Sequence, residues 1–464
     1  MSSSPDSTLE RERGLHQSLS RRQITMIGLG GAIGTGLFAG SSIAIGYAGP
    51  AVIVSYLIAA LVAAAMVFSL SEMAVVHPTA GSFGTYAEMY INPWAGFMVR
   101  YTYWITQVIA IAGEATAVGL YMTYWAPGVP VWIWSVGFAF TLVYVNTRAV
   151  VNFGNIEYWL TVIKVSAIVA FIVLGAARIF GAGGVAVGMD NLTGLPGGFL
   201  PMGFNGVWMG VLVAMFSFVG IEVIAVTAGE AQDPRTAIPA ALRTMAIRLF
   251  LFYVLALAVM VALVPWTEAG AKTVSGSPFV KVFSQSGIPF AAGVMNFVVL
   301  SAALSSMNTN LYLTSRMLFS LSRGGFAPKL LGRLSASGTP AFAAWVSGSF
   351  ILLFAAVSKL TPMAYNYLFG IALFGAVIVW MTIFVSHLRF RVRRVEAELP
   401  VRMPLFPYAQ IGALLLLAAL LITMGLDREF WNVAWIVGVP WMALVSAAYF
   451  VWRGRQNKTP RQRP

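Results

Sequence analysis

The chain has 464 residues, of which 59% are hydrophobic and 10% charged, with a net charge of +13; an ordinary soluble chain carries about a quarter charged residues. That composition excludes a water-soluble globular domain, because so much apolar surface must be placed in lipid. Cysteine is absent, which also excludes disulfide scaffolds and thiolate metal sites.

Residues 1–21 are polar and basic, lack the apolar core of a cleavable signal peptide, and read as a cytoplasmic tail. Charge-poor apolar runs then recur from Ile24 to the region of Trp452, each near the roughly 20 residues that a helix needs to cross the hydrocarbon core. The pattern predicts about twelve spans, centred near Gly34, Ala63, Ala110, Phe138, Ala167, Val219, Ala256, Ala302, Ser349, Ala376, Leu415 and Gly438. Backbone polar groups cannot stay unpaired in lipid, so the spans are helices or a closed barrel. The run Ile163 to Leu174 does not alternate as a barrel strand does, which favours an all-α integral membrane protein. The expected division is 22–178 for the first five spans, 206–392 for the next five, 404–452 for the last two, and 453–464 for a basic cytoplasmic tail.

Nucleic acid is a poor explanation of the positive charge, because its distribution follows the membrane. With the N-terminus inside, the cytoplasmic segments hold most of the arginines, among them Arg21, Arg22, Arg100, Arg235, Arg316, Arg391 and Arg453. The outside keeps Arg178, Lys272, Lys281, Lys359 and Arg428. This asymmetry places both termini in the cytoplasm, and the basic tails against anionic lipid headgroups.

The first span carries Gly28, Gly30, Gly31, Gly34 and Gly36, and each glycine weakens a helix by about 1 kcal/mol relative to alanine. A break there would free amides and carbonyls to hold a zwitterion; a GxxxG packing face from Gly30 to Gly34 is the alternative. The sixth span offers a second candidate break at Phe216-Ser217-Phe218-Val219-Gly220-Ile221-Glu222. Breaks in the first and sixth spans are what two inverted repeats with a midplane site require.

Glu114, Lys164 and Glu222 fall inside apolar spans, where an ion costs about 2.5–3.5 kcal/mol. Each must face a cavity or a partner and is a candidate to exchange a proton; for the glutamates a buried ion pair or a carboxylic acid bonded to backbone is the alternative. Glu157 lies roughly 10.5 Å along the axis from Lys164 and cannot pair with it directly. A lone ammonium beside the broken first helix can stand where a coupling sodium ion would, which makes proton symport the expected mechanism. His16, His77 and His387 fall near membrane boundaries and read as surface or interface residues, and Trp94, Trp104, Trp125, Trp132, Trp134 and Trp266 mostly read as interfacial anchors. Phe216 and Phe218 sit where they could close over a ligand.

Several stretches in chain order carry a family resemblance: GGAIGTGLF at Gly30–Phe38, PTAGSFGTYAEMY at Pro78–Tyr90, FGNIEYWLTVIK at Phe153–Lys164, FSFVGIEVIAVTAGEAQDP at Phe216–Pro234 and SRMLFSLSRGGFAPK at Ser315–Lys329. They resemble the amino acid transporter branch of the amino acid–polyamine–organocation superfamily, and the resemblance runs from Leu19 to about Arg394. It implies a LeuT-like fold of twelve helices, five plus five in inverted repeat, with helices 1 and 6 discontinuous. It further implies a substrate site on Ala32, Ile33, Gly34, Thr35, Gly36, Phe216, Ser217, Val219 and Gly220. By this likeness the carbonyls of Ala32, Phe216 and Val219 take the ammonium, while Thr35 and the amides of Gly34 and Gly36 take the carboxylate. Phe216 is the implied aromatic gate, Lys164 the sodium-equivalent lysine, and Glu114 and Glu222 acids of the branch. The segment Pro78–Tyr90 is the implied amphipathic cytoplasmic loop that moves with gating. The chain departs from the pattern at Arg100-Tyr101, where relatives often have Gly-Trp, and at Gly338-Thr339-Pro340, where Gly-Val-Pro is common.

The expected function is import of an amino acid, neutral and apolar or aromatic, across the cytoplasmic membrane of a cell, coupled to protons and needing no cofactor. Exchange, export or sensing without transport are the alternatives. A membrane-embedded enzyme is disfavoured by the lack of a nucleophile, a metal set or a mid-span histidine.

Overall fold

The computed structural model describes residue 10 and residues 19–148, 153–182, 186–270, 277–284, 290–335, 338–393, 402–428 and 430–458. Among these residues the chain is helical, with one isolated parallel bridge between Leu19 and Ala231. His16 lies outside the described residues.

Helix α1 (Arg21–Ala32) starts on a capping box: Gln23 N donates to Ser20 Oγ at 3.4 Å, and Ser20 N donates to Gln23 Oε1 at 3.0 Å. After a break the chain rewinds through a π-turn (Gly36–Gly40) into α2 (Ser41–Ala48). There follow α3 (Val52–Val76), the short α4 (Ser82–Tyr90), α5 (Pro93–Met122), α6 (Val131–Arg148) and α7 (Phe153–Ile179). The second half holds α8 (Gly203–Ser217), α9 (Val223–Thr227), α10 (Pro234–Leu263), α11 (Pro278–Ser284), α12 (Ala291–Arg323), α13 (Ala341–Ala355), α14 (Ala364–Arg393), α15 (Tyr408–Leu426) and α16 (Val433–Lys458). Eight helical stretches of the described residues are long and apolar enough to cross a membrane. The protein is therefore a multi-pass helical membrane protein.

In its central span α5 is almost wholly buried, and α12 and α14 pack along it. The outer helices α15 and α16 keep most of their apolar surface exposed, as lipid-facing helices do. Leu19 N donates to Glu230 O at 3.0 Å and Gln232 N donates to Leu19 O at 3.2 Å, so the entry to α1 is stitched to the chain that follows α9.

Three expectations from membrane depth need correction. His77 and His387 are buried rather than surface residues. His77 Nε2 lies 2.7 Å from Tyr90 OH, and His387 bridges Glu72 Oε2 at 2.9 Å and Gln410 Nε2 at 3.1 Å. Trp104 is likewise buried, its indole N–H donating to Ser347 Oγ at 3.0 Å, whereas Trp94 and Trp125 are exposed. Distance from a span's end sets depth but not which way a side chain points.

The segment expected to be an amphipathic loop is also largely enclosed, since nearly every residue of α4 is buried. Arg100 holds it: Nη1 donates to Glu88 Oε2 at 2.9 Å and Nη2 to Thr85 Oγ1 at 2.9 Å, with the guanidinium fully buried. Gly84 makes the room, because a Cβ there would lie 2.3 Å from Arg100 Cγ.

Candidate functional site

The end of a helix leaves four carbonyls without intrahelical donors, and in lipid each needs another partner. At the end of α1 Leu29 O keeps the amide of Ile33, and the carbonyls of Gly30, Gly31, Ala32 and Ile33 are met by side chains of other helices. Ile33 leaves the helix at φ −84, ψ 86, and Gly34 N donates to Ala32 O at 3.1 Å instead of reaching back to Gly30. Gly30 O accepts from Lys164 Nζ at 2.6 Å, and Ile33 O accepts from the same ammonium at 3.0 Å. Gly31 O accepts from Ser306 Oγ at 3.3 Å, and Ala32 O from Tyr253 OH at 2.7 Å.

The second break runs from Phe218 to Glu222, between α8 and α9. Gly220 adopts φ +102, and its N–H donates to both carboxylate oxygens of Glu222, at 3.2 and 3.1 Å. Tyr253 OH lies 2.7 Å from Ser217 O as well as from Ala32 O, so one hydroxyl bridges the carbonyls at both breaks. Its single proton serves two acceptors. The two unwound segments then pack backbone to backbone: a Cβ on Gly220 would stand 2.7 Å from Gly31 O, and one on Gly36 2.7 Å from Ser217 Cα. Tyr253→Phe should lower stability by about 1–3 kcal/mol, the cost of leaving the buried Ser217 carbonyl without its donor while Ala32 O keeps Gly34 N, read as a lower Tm of the detergent-purified protein.

Lys164 is fully buried, and its third contact is Ser305 Oγ at 2.8 Å, so all three ammonium donors are used. Ser305 in turn donates to Glu157 Oε1, and Asn308 Nδ2 donates to Glu157 Oε2 at 3.3 Å. Glu157 therefore reaches Lys164 through a hydroxyl, consistent with their separation along α7. Glu114 lies beside the first break: a Cβ on Gly34 would be 2.6 Å from its Oε1, while its Oε2 has no hydrogen-bond partner. Glu222 differs, because its carboxylate is engaged by Gly220 N and by Gln107 Nε2 at 3.3 Å. It holds the second break in place.

The hydroxyls of Thr35, Tyr121 and Tyr365, with Glu114 Oε2, form a group of buried polar atoms lacking hydrogen-bond partners. Orphaned groups of this kind are rare in folded interiors. The ring centroid of Phe216 lies 4.0 Å from that of Phe369, which also meets Tyr365 at 5.7 Å and Trp431 at 5.9 Å. Phe218 points elsewhere, into the core against Tyr253 at 4.8 Å and Tyr56 at 6.4 Å. The structure thus brings Ala32, Ile33, Gly34, Thr35, Gly36, Ser217 and Gly220 together with Glu114 and Lys164. The Gly34 amide, the Ala32 carbonyl and the Phe216 carbonyl already have partners within the chain, the last from Val219 N at 3.0 Å.

Sequence reasoning missed Tyr253, Ser305, Ser306, Asn308, Tyr365 and Phe369. One signal was present: the run Ser305-Ser306-Met307-Asn308-Thr309-Asn310 puts five polar side chains among six residues in the middle of a span, where lipid offers them nothing.

A family model described as amino acid permease matches residues 23–460. The chain is 39% identical over 448 residues to an uncharacterised amino acid permease, YtnA, of Bacillus subtilis (strain 168), covering 95% of this chain and 96% of the relative. It is 38% identical over 454 residues to the gamma-aminobutyric acid permease of the same organism, covering 96% of each. It is also 38% identical over 439 residues to the aromatic amino acid transport protein AroP of Escherichia coli (strain K12), covering 94% of this chain and 95% of the relative.

Proposed function

Since the chain belongs to the amino acid permease family, we propose that it imports a neutral, apolar or aromatic amino acid across the cytoplasmic membrane by proton symport and alternating access. Its relatives are transporters, and it is not an enzyme. The observation that carries the reading is the pair of helix breaks meeting beside a buried ammonium. A half-helix that restarts at Gly36 presents free amides to the carboxylate of a zwitterion, and the Thr35 hydroxyl is a further donor without a partner. The Val219 carbonyl takes the ammonium. Phe216 and Phe369 offer an apolar wall to the substrate's side chain.

In this reading the fold is a LeuT-like inverted repeat. The stretch Arg21–Val76 supplies two crossings, and with the shorter apolar helices Val131–Asn146, Gly203–Ser217 and Phe250–Leu263 the tally reaches about twelve spans. Lys164 does the work of a coupling cation. Protonated, it ties Gly30 and Ile33 to Ser305; deprotonated, it loses a donor and loosens α1 from α7, which favours the opposite-facing state. Glu114 relays the proton. Glu222 keeps the second break wound correctly as the protein cycles.

The test is uptake of tritiated L-phenylalanine into proteoliposomes under an imposed inward proton gradient. Accumulation that collapses with a protonophore supports symport, whereas sodium-driven uptake indifferent to pH contradicts the role given to Lys164. Phe369→Ala should raise the KM for L-phenylalanine about tenfold with kcat nearly unchanged, since the ring contributes binding shared by ground and transition states.

A further inference from the structure

Glu157, on α7, is fully buried, and among the described residues no cation touches it directly. A carboxylate held that deep costs several kcal/mol unless hydrogen bonds satisfy it. Its partners are hydroxyls and an amide: Ser305 Oγ donates to Oε1, Thr161 Oγ1 approaches the same oxygen at 3.4 Å, and Asn308 Nδ2 donates to Oε2 at 3.3 Å. Ser305 is also the link to Lys164, whose Nζ stands 2.8 Å from its Oγ. One hydroxyl thus accepts from an ammonium and donates to a carboxylate, the arrangement in which a proton can pass from one to the other. Depth separates Glu157 from Glu114. A Cβ on Gly34 would lie 2.6 Å from Glu114 Oε1, whereas one on Gly30, a turn nearer the start of α1, would run into Glu157 Oε1. Beyond Glu157 the polar chain continues: Asn308 Oδ1 accepts from Asn146 Nδ2 at 2.7 Å, and Asn146 lines a cavity of about 20 Å³ together with Ser315, Arg316 and Thr339. That space is enough for about one water.

We propose that Glu157 is the exit acceptor of the coupled proton, drawing it from Lys164 through Ser305 and passing it to water on the cytoplasmic side. In the transfer the Lys164 N–H bond and the Ser305 O–H bond break as O–H bonds form on Ser305 Oγ and Glu157 Oε1. Ammonium and carboxylate become amine and carboxylic acid, with no net change of charge in the bundle. The acid gives its proton to a water in the cavity once the Asn308–Asn146 pair parts, and the carboxylate is restored. The proposal rests on the reading that Lys164 carries the coupled proton.

Proteoliposomes separate the steps, because exchange of labelled for unlabelled L-phenylalanine proceeds with the proton still bound, whereas net uptake requires its release. Glu157→Gln should lower accumulation of tritiated L-phenylalanine under an inward proton gradient about thirtyfold, with exchange within about twofold of the parent. Ser305→Ala removes the hydroxyl and leaves Glu157 its Asn308 contact. It should show the same split, and it decides alone if Glu157→Gln yields no folded protein. Accumulation near the parent's in either folded variant overturns the relay and leaves proton symport standing. Loss of exchange along with accumulation also overturns it, since that is what a merely structural contact gives. A parent whose uptake ignores the proton gradient overturns both the relay and the coupling role of Lys164.

Discussion

Lys164→Met is expected to lower proton-driven accumulation of amino acid by about a hundredfold, equivalent to about 2.7 kcal/mol. The parent ammonium makes three short contacts, to Gly30 O, Ile33 O and Ser305 Oγ, at 2.6, 3.0 and 2.8 Å. Methionine fills similar space and donates to none of them, and each buried acceptor left bare costs about 1–3 kcal/mol. Loss of stability alone would give the same uptake, so Lys164→Gln is the informative companion. Its amide keeps two donors for the three acceptors but carries no exchangeable charge. It should recover much of the lost Tm and none of the accumulation. Proteoliposome uptake and thermal denaturation, read on both variants, check this.

The second large effect is expected at Gly220→Ala. The residue sits at φ +102, where an L side chain is strained, and the added methyl would lie 2.7 Å from Gly31 O. Strained backbone of this kind costs about 1–3 kcal/mol, and the obstruction is backbone, which cannot rotate aside. The expected loss exceeds about 3 kcal/mol, seen as a lowered Tm or as failure to extract folded protein, with uptake abolished. Gly137, where a Cβ would meet nothing within 4 Å, is the control: Gly137→Ala should leave both readouts near the parent.

The helix breaks were legible in the sequence because glycines crowd the first span and a glycine sits between aromatics in the sixth. Lys164 stood out for a single reason, a charge in lipid. What accepts its donors did not. Gly30 and Ile33 offer carbonyls only because the helix ends at Ala32, and Ser305 comes from a helix more than a hundred residues away. Tyr253 was hidden for a related reason: a tyrosine in an apolar span looks like packing until its hydroxyl is found on Ala32 O and Ser217 O. The two acids looked alike in sequence and are not alike in place. Glu222 is occupied by the amide of Gly220, whereas Glu114 keeps an oxygen without a partner. Nearness to a span's end does not imply exposure: His387 and Trp104 both point into the bundle, where Glu72 and Ser347 receive them.

The substrate site itself is most directly tested by an experimental structure with L-phenylalanine bound at saturating concentration. The carboxylate is expected within hydrogen-bond distance of the Thr35 hydroxyl and the amides that open the half-helix at Gly36, with the ligand's ring against Phe216 and Phe369. Ligand density absent from that junction, with α1 and α8 wound continuously through Gly34 and Gly220, would contradict it.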